Sequence, residues 1–171
     1  MSAPEPGRDE AIRILRSDRL KTRELLDRMK DPQLTTPGLG DGDWSPKDLI
    51  GHLESWERHA LDAMNAWSHG RVAPSDRALR TIGLDPFNLA EVRRKEAWSL
   101  ARTTDSAAAT HRRLLAALGS ISAEAWSAPP TKGSRRALGT QLGGILGGPS
   151  GPFRHDLAHH PDLEAFAADH R

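Results

Sequence analysis

Two histidines near the end of the chain, His155 and His159, stand four residues apart. On a helix that spacing stacks both rings on one face, a turn apart, where their nitrogens can grip one metal ion. A third histidine lies far upstream in the series Leu49, His52, Leu53, Trp56, His59, Ala60, Ala63 and Trp67, which recurs at three- and four-residue steps and so forms one stripe. Packing that stripe beside the terminal segment would join three neutral nitrogen donors with an open coordination position, a set suited to Zn, Ni or a related divalent ion. On spacing alone a plainer reading carries more weight. A His pair on an amphipathic helix is commonly polar surface, and a His on an apolar stripe is commonly hydrogen-bonded core, because burying an unpaired imidazole is costly.

The neighbours of these histidines are open to two readings as well. Trp44, Trp56 and Trp67 suit core or rim packing, while Trp56, one turn from His52, also suits the flat wall of a ligand pocket. His59, two turns beyond His52, either lines the same cleft or sits half-exposed at an interface. Asn88 between Phe87 and Leu89 either completes a helix cap or offers its amide to a ligand. His160, next to Pro161, is off the His155/His159 face and is expected on the surface. Glu54, Glu57 and Arg58 read as a solvated charge cluster. The glycines at 143, 144, 147, 148 and 151 lack the Lys-Ser/Thr of a phosphate loop, so they predict close helix approach and a break, not nucleotide binding.

Helices must position all of these residues. Ile12, Leu15, Leu20, Leu26 and Met29 predict a first helix from Asp9 to Lys30, followed by a Gly/Thr/Pro-rich loop from Gln33 to Asp43. Ser45 as cap, Pro46 at the first helical position and Asp48 three residues after the cap start a second helix that stops at Gly70. Residues 71–84 read as loop. Asp85-Pro86 opens a long third helix that runs to Gly119, bent or broken near Thr104. A short turn at 122–126 and a loop at 127–136 follow. The last segment starts at Leu138, is interrupted from Gly147 to Pro152, and resumes from Phe153 to Ala168. The class is all-α, a four-helix bundle with long crossing loops, in one domain spanning residues 1–171.

Composition narrows the chemistry. With no Cys and no Tyr among 171 residues, thiolate catalysis, disulfides and a phenolic acid are excluded. Lys and Arg total 24 against 23 Asp and Glu, a formal charge of +1, which predicts no direct nucleic-acid binding. No apolar run approaches the ~20 residues that span a bilayer, and Met1 to Glu10 lacks an apolar signal core. A cytoplasmic protein away from membranes, monomeric or homodimeric, is expected.

The string Trp44-Ser45-Pro46-Lys47-Asp48-Leu49-Ile50-Gly51-His52-Leu53-Glu54-Ser55-Trp56-Glu57 resembles the W-S-x-K-D-L-x-x-H-L-x-x-W-E signature of DinB-like four-helix bundles, above all their ClbS/DfsB branch. Asp85-Pro86-Phe87-Asn88 is similar to that branch's D-x-x-N, and His155-Asp156-Leu157-Ala158-His159 to its H-Y-x-x-H, with Asp156 in place of the aromatic. The resemblance implies that His52, His155 and His159 converge on one pocket, which holds a divalent metal in many relatives. It further implies a self-resistance hydrolase that opens the electrophilic cyclopropane of a DNA-alkylating natural product by adding water, with no cofactor strictly required. In that reading Trp56 and Trp44 stack on the ligand, His59 lines its site, Asn88 orients its carbonyl, and His52 with His155 or His159 positions or deprotonates water. The alternatives are a metal-dependent transferase of low-molecular-weight thiols, with Arg154 meeting the thiol's carboxylate, and a drug-sequestering protein without turnover.

Overall fold

The computed structural model describes residues 5–40 and 42–170. Among them are ten helical segments and, apart from one isolated bridge between Gly148 and Gly151, no strand pairing. Three long helices carry the bundle: α1 (Arg8–Leu26), then, after the short α2 (Asp31–Leu34), α3 (Pro46–Ser68), and later α6. Between α3 and α6 lie α4 (Pro74–Ile82) and α5 (Leu84–Arg94); α6 spans Leu100–Gly119. The fourth position is filled in pieces. After α7 (Ala123–Ser127) come α8 (Leu138–Ile145), the four-residue α9 (His155–Ala158) and α10 (His160–Asp169).

The start of α3 follows its capping signals: Ser45 Oγ accepts from the Asp48 amide at 3.2 Å, and the Ser45 amide donates to Asp48 Oδ2 at 2.9 Å. Two other expectations are corrected. Residues 71–84 hold a helix, α4, begun by Pro74 and ended at Gly83, whose φ of +83° suits glycine. The long third helix breaks at 95–99, not near Thr104. Lys95 turns its side chain into the bundle, and Ser99 caps a fresh start by accepting from the Arg102 amide at 3.1 Å. Thr103 sits inside α6, its hydroxyl donating to the Ser99 carbonyl.

The interior has two apolar ends. One gathers Ala11, Leu15, Ala60, Trp67, Leu114, Leu118 and Phe153; the other gathers Leu25, Leu49, Leu53, Leu163 and Phe166. Between them runs a polar layer. On α1 the inward stripe reads Ala11, Leu15, Asp18, Thr22, Leu25, while Leu20, read as apolar stripe from the sequence, is exposed. The terminal segment repeats the pattern with Phe153, Asp156, His160, Leu163 and Phe166, all buried. The functional side chains sit at this level.

The glycine-rich interruption makes the return to α9 possible. A Cβ on Gly147 would lie 2.5 Å from the Gly143 carbonyl oxygen and 2.9 Å from that of Gly151, so only glycine permits the crossing. The His155 amide then donates to the Leu146 carbonyl at 3.1 Å, tying α9 to the end of α8.

Candidate active site

The three histidines of the sequence reading come together. His52, on α3, places its Nε2 3.0 Å from Nε2 of His155 on α9, and the ring of His159 stands 5.4 Å from His52 and 5.2 Å from His155 between centroids. One nitrogen from each lies within 4.8 Å of the others. The His52 and His155 nitrogens can share only one proton, so at this spacing one ring is the donor and the other the acceptor.

The local electrostatics favour uncharged rings. Burial pushes His52 well below its ordinary range, and the neighbouring His155 and His159 add to the shift. Burial, then His159, takes His155 down to about 4. His159 is lowered by burial against the opposing pull of Asp162 and Asp156. Three neutral imidazoles converging on one point are the donor chemistry that a divalent ion such as Zn or Ni requires, so the residues fit such an ion. Nδ1 of His52 is buried without a hydrogen-bond partner, a departure from the usual metal ligand, whose second nitrogen donates to a carbonyl or carboxylate.

The triad faces a cleft of about 730 Å³. Trp56 forms part of one wall and the glycines of α8 and the following turn form the opposite one; Arg136, Leu84 and Asp162 also border it. Trp56 Nε1 donates to Asn88 Oδ1 at 3.1 Å, which leaves the amide nitrogen of Asn88 as the donor available to a ligand. Trp44 takes another place. It packs on the His52 ring at 4.9 Å between centroids and lines a smaller cavity of about 310 Å³ that also touches His159 and Asp162. His59 is buried behind Trp56, against Phe87 at 4.9 Å, with its Nε2 3.6 Å from Glu91; it does not line the cleft.

Several polar residues read from the sequence as surface are buried. Glu54 pairs with Lys95, a fully enclosed lysine that also reaches the Ser55 hydroxyl at 2.6 Å. Burial lowers Lys95, opposed by Glu54. Glu57 accepts from Arg19 Nη2 at 3.1 Å and from His111 Nδ1 at 2.6 Å. His160, expected on the surface, turns inward to Thr22 Oγ1 at 3.0 Å. Arg154 is engaged by Asp18 at 3.2 Å.

Sequence reasoning missed the strut behind the histidines. Arg19 donates through Nε to Asp156 Oδ2 at 2.7 Å and through Nη2 to Oδ1 at 3.1 Å, a two-pronged grip. Thr22 donates to the same Oδ2 at 2.7 Å, which leaves its oxygen to accept from His160 Nε2. Burial would raise the Asp156 carboxyl, but Arg19 and the Arg19 and Thr22 hydrogen bonds hold it below its ordinary value. The legible signal is the register. Asp156 and His160 repeat the four-residue spacing of His155 and His159 one position on, so one pair faces α1 while the other faces the cleft.

An all-helical bundle with a His triad at a cleft, His52 buried and His155 and His159 half-buried, defines the class of protein. The chain matches the family model of the DinB superfamily over residues 14–147, and it belongs to that superfamily. That match includes His52 and ends before His155. The fold is similar to that of the colibactin self-resistance protein ClbS, seen in a crystal structure in complex with a dsDNA, at a TM-score of 0.66 and 13% identity, covering 98% of this chain and 95% of ClbS. Comparison with curated proteins finds no match.

The ClbS complex corrects the expectation that nucleic acid is excluded. Binding to DNA depends on cations placed along the phosphates and the counterions they release, not on net charge. A formal charge of +1 therefore excludes nothing. Arg71, Arg80 and Lys132 border one groove of about 720 Å³ here, beside a single Asp76. No helix among the described residues is long and apolar enough to cross a membrane.

Proposed function

We propose that this chain is a detoxification or self-resistance hydrolase that receives a strained, electrophilic natural product in the His-lined cleft and opens its cyclopropane by adding water. The carrying observation is the convergence of three uncharged imidazoles beside the Trp56–Asn88 pair. Trp56 supplies a flat apolar wall for a planar ligand. The Asn88 amide nitrogen donates to the carbonyl conjugated with the ring. His52 and His155 or His159 hold the attacking water, one imidazole taking its proton as the oxygen bonds to the ring carbon. The carbon–carbon bond breaks toward the carbonyl, and the proton returns to the carbon released. Positioned acid and base groups contribute about 10² to 10⁴ in rate.

A second reading rests on the closeness of the three nitrogens. A divalent ion held by His52, His155 and His159 would supply Lewis acidity and lower the pKa of a bound thiol or water. Double-stranded DNA enters as a second partner by similarity to ClbS, and the groove bordered by Arg71, Arg80 and Lys132 offers it cationic contacts. The one-domain organisation, the cytoplasmic location and the monomeric or dimeric state belong to this proposal too.

Mass spectrometry of a cyclopropane-bearing alkylator incubated with the protein tests the reading. A gain of one water supports the hydrolase, and its loss in His52→Ala ties the step to the triad. A thiol adduct formed only with added metal and thiol supports the transferase, and unchanged ligand retained by the protein supports sequestration.

A further inference from the structure

On another side of the molecule α1, α3 and α6 enclose a trough of about 320 Å³. Arg19, Thr22, Arg23 and Leu26 of α1 form one wall, and Thr104, Ala107, Ala108, His111 and Arg112 of α6 form the other. Ile50 and Leu53 of α3 make the floor. These positions recur at three- and four-residue steps, so each helix presents one continuous stripe to the space. Ala107 and Ala108 contribute only methyl groups to the α6 wall.

The chemistry of the lining is one-sided. Three guanidinium groups and an imidazole border the trough, and no acidic side chain lines it among the described residues. Arg19 pairs with Asp156 and Glu57, and the same Glu57 oxygen holds His111, so this carboxylate, though not part of the lining, joins the two walls. Arg23 and Arg112 are exposed, stand on opposite walls, and form no ion pair among the described residues. An apolar floor beneath two unanswered guanidinium groups is complementary to a ligand with an apolar body and an anionic head.

We infer that the α1/α3/α6 trough binds a small amphipathic carboxylate, its chain on Ile50 and Leu53 and its head between Arg23 and Arg112. The site is separate from the histidine cleft and independent of the reaction proposed there. Arg19 and Thr22 belong both to its wall and to the strut that grips Asp156.

Methyl-detected NMR on the full chain, titrated with octanoate and in parallel with octanol, tests the inference. Octanoate should shift the Ile50 and Leu53 methyl signals saturably and bind more tightly than octanol. Arg112→Glu should weaken octanoate by about tenfold or more while leaving octanol unchanged, the range expected when a charge-assisted contact is lost. Ala108→Trp, which blocks the mouth, should abolish both. Positions 108 and 112 are exposed, so both variants should stay folded, which melting curves check. Equal affinity for octanoate and octanol, indifference to Arg112→Glu, or shifts confined to the histidine cleft would each overturn it. So would trough signals that respond to protein concentration alone, since a second copy would then be the occupant.

Discussion

Replacing Arg19 with methionine removes the guanidinium that touches both Asp156 and Glu57, two carboxylates buried in the polar layer. Breaking a buried ion pair from one side costs about 3–5 kcal/mol, because the remaining charge keeps its desolvation penalty. Asp156 retains the Thr22 hydrogen bond and Glu57 retains His111, so the lower half of that range applies. For a chain of this length the loss corresponds to a melting temperature lowered by roughly 6–15 °C. The site should feel it as well: α9 is a single turn, and Asp156 is the buried polar side chain that anchors it to α1. In Arg19→Met the imidazole nitrogen signals of His52 and His155 should therefore lose the signature of their 3.0 Å contact. Leu118→Ala, an equally destabilising change in the far apolar cluster, should leave them intact. Adding Asp156→Asn to Arg19→Met should restore part of the stability, with a coupling of about 2 kcal/mol between the two sites. A melting temperature unchanged in Arg19→Met, strictly additive effects, or histidine signals that survive the loss of the guanidinium would refute the strut.

Acid should destabilise the metal-free protein before its carboxylates titrate. His155 has a folded pKa of about 4 against 6.5 unfolded, so its contribution is complete above the unfolded value and lost as pH falls toward the folded one. That loss is on the order of 3 kcal/mol, readable by denaturant titration at successive pH values. A stability that is flat between those limits would contradict a neutral His155 ring in the folded protein. Trp56 both lines the cleft and packs on His59 and Phe87 at 5.7 Å, so Trp56→Ala should cost roughly 3–5 kcal/mol and also abolish ligand-induced fluorescence changes. Normal ligand handling by its folded fraction would assign Trp56 to the core alone. Gly139→Ala would set a Cβ 2.3 Å from Trp126 Nε1, and the overpacking should cost about 1–3 kcal/mol in thermal melts.

The residue pattern alone determined the helical class, the capped start of α3 and the pairing of His155 with His159 on one face. Each depends on interactions within a few residues, and local spacing records those directly. The meeting of His52 with that pair is long-range; spacing offered it only as the lesser of two readings, and resemblance to the DinB-like signature gave it weight. Tertiary packing decided the rest. Glu54, Glu57 and His160 look like surface groups because isolated charges belong in water. They are buried because α1 and α6 bring Arg19, Thr22 and His111, and the α5–α6 break brings Lys95, to partner them, with one Glu57 oxygen left unpaired. The same holds for the break itself. Thr103 and Thr104 weaken a helix locally, yet the chain turns at Lys95, whose ammonium finds Glu54 and the Gly51 carbonyl inside the bundle. Burial of a charge is decided by its partner, and the partners here lie scores of residues away.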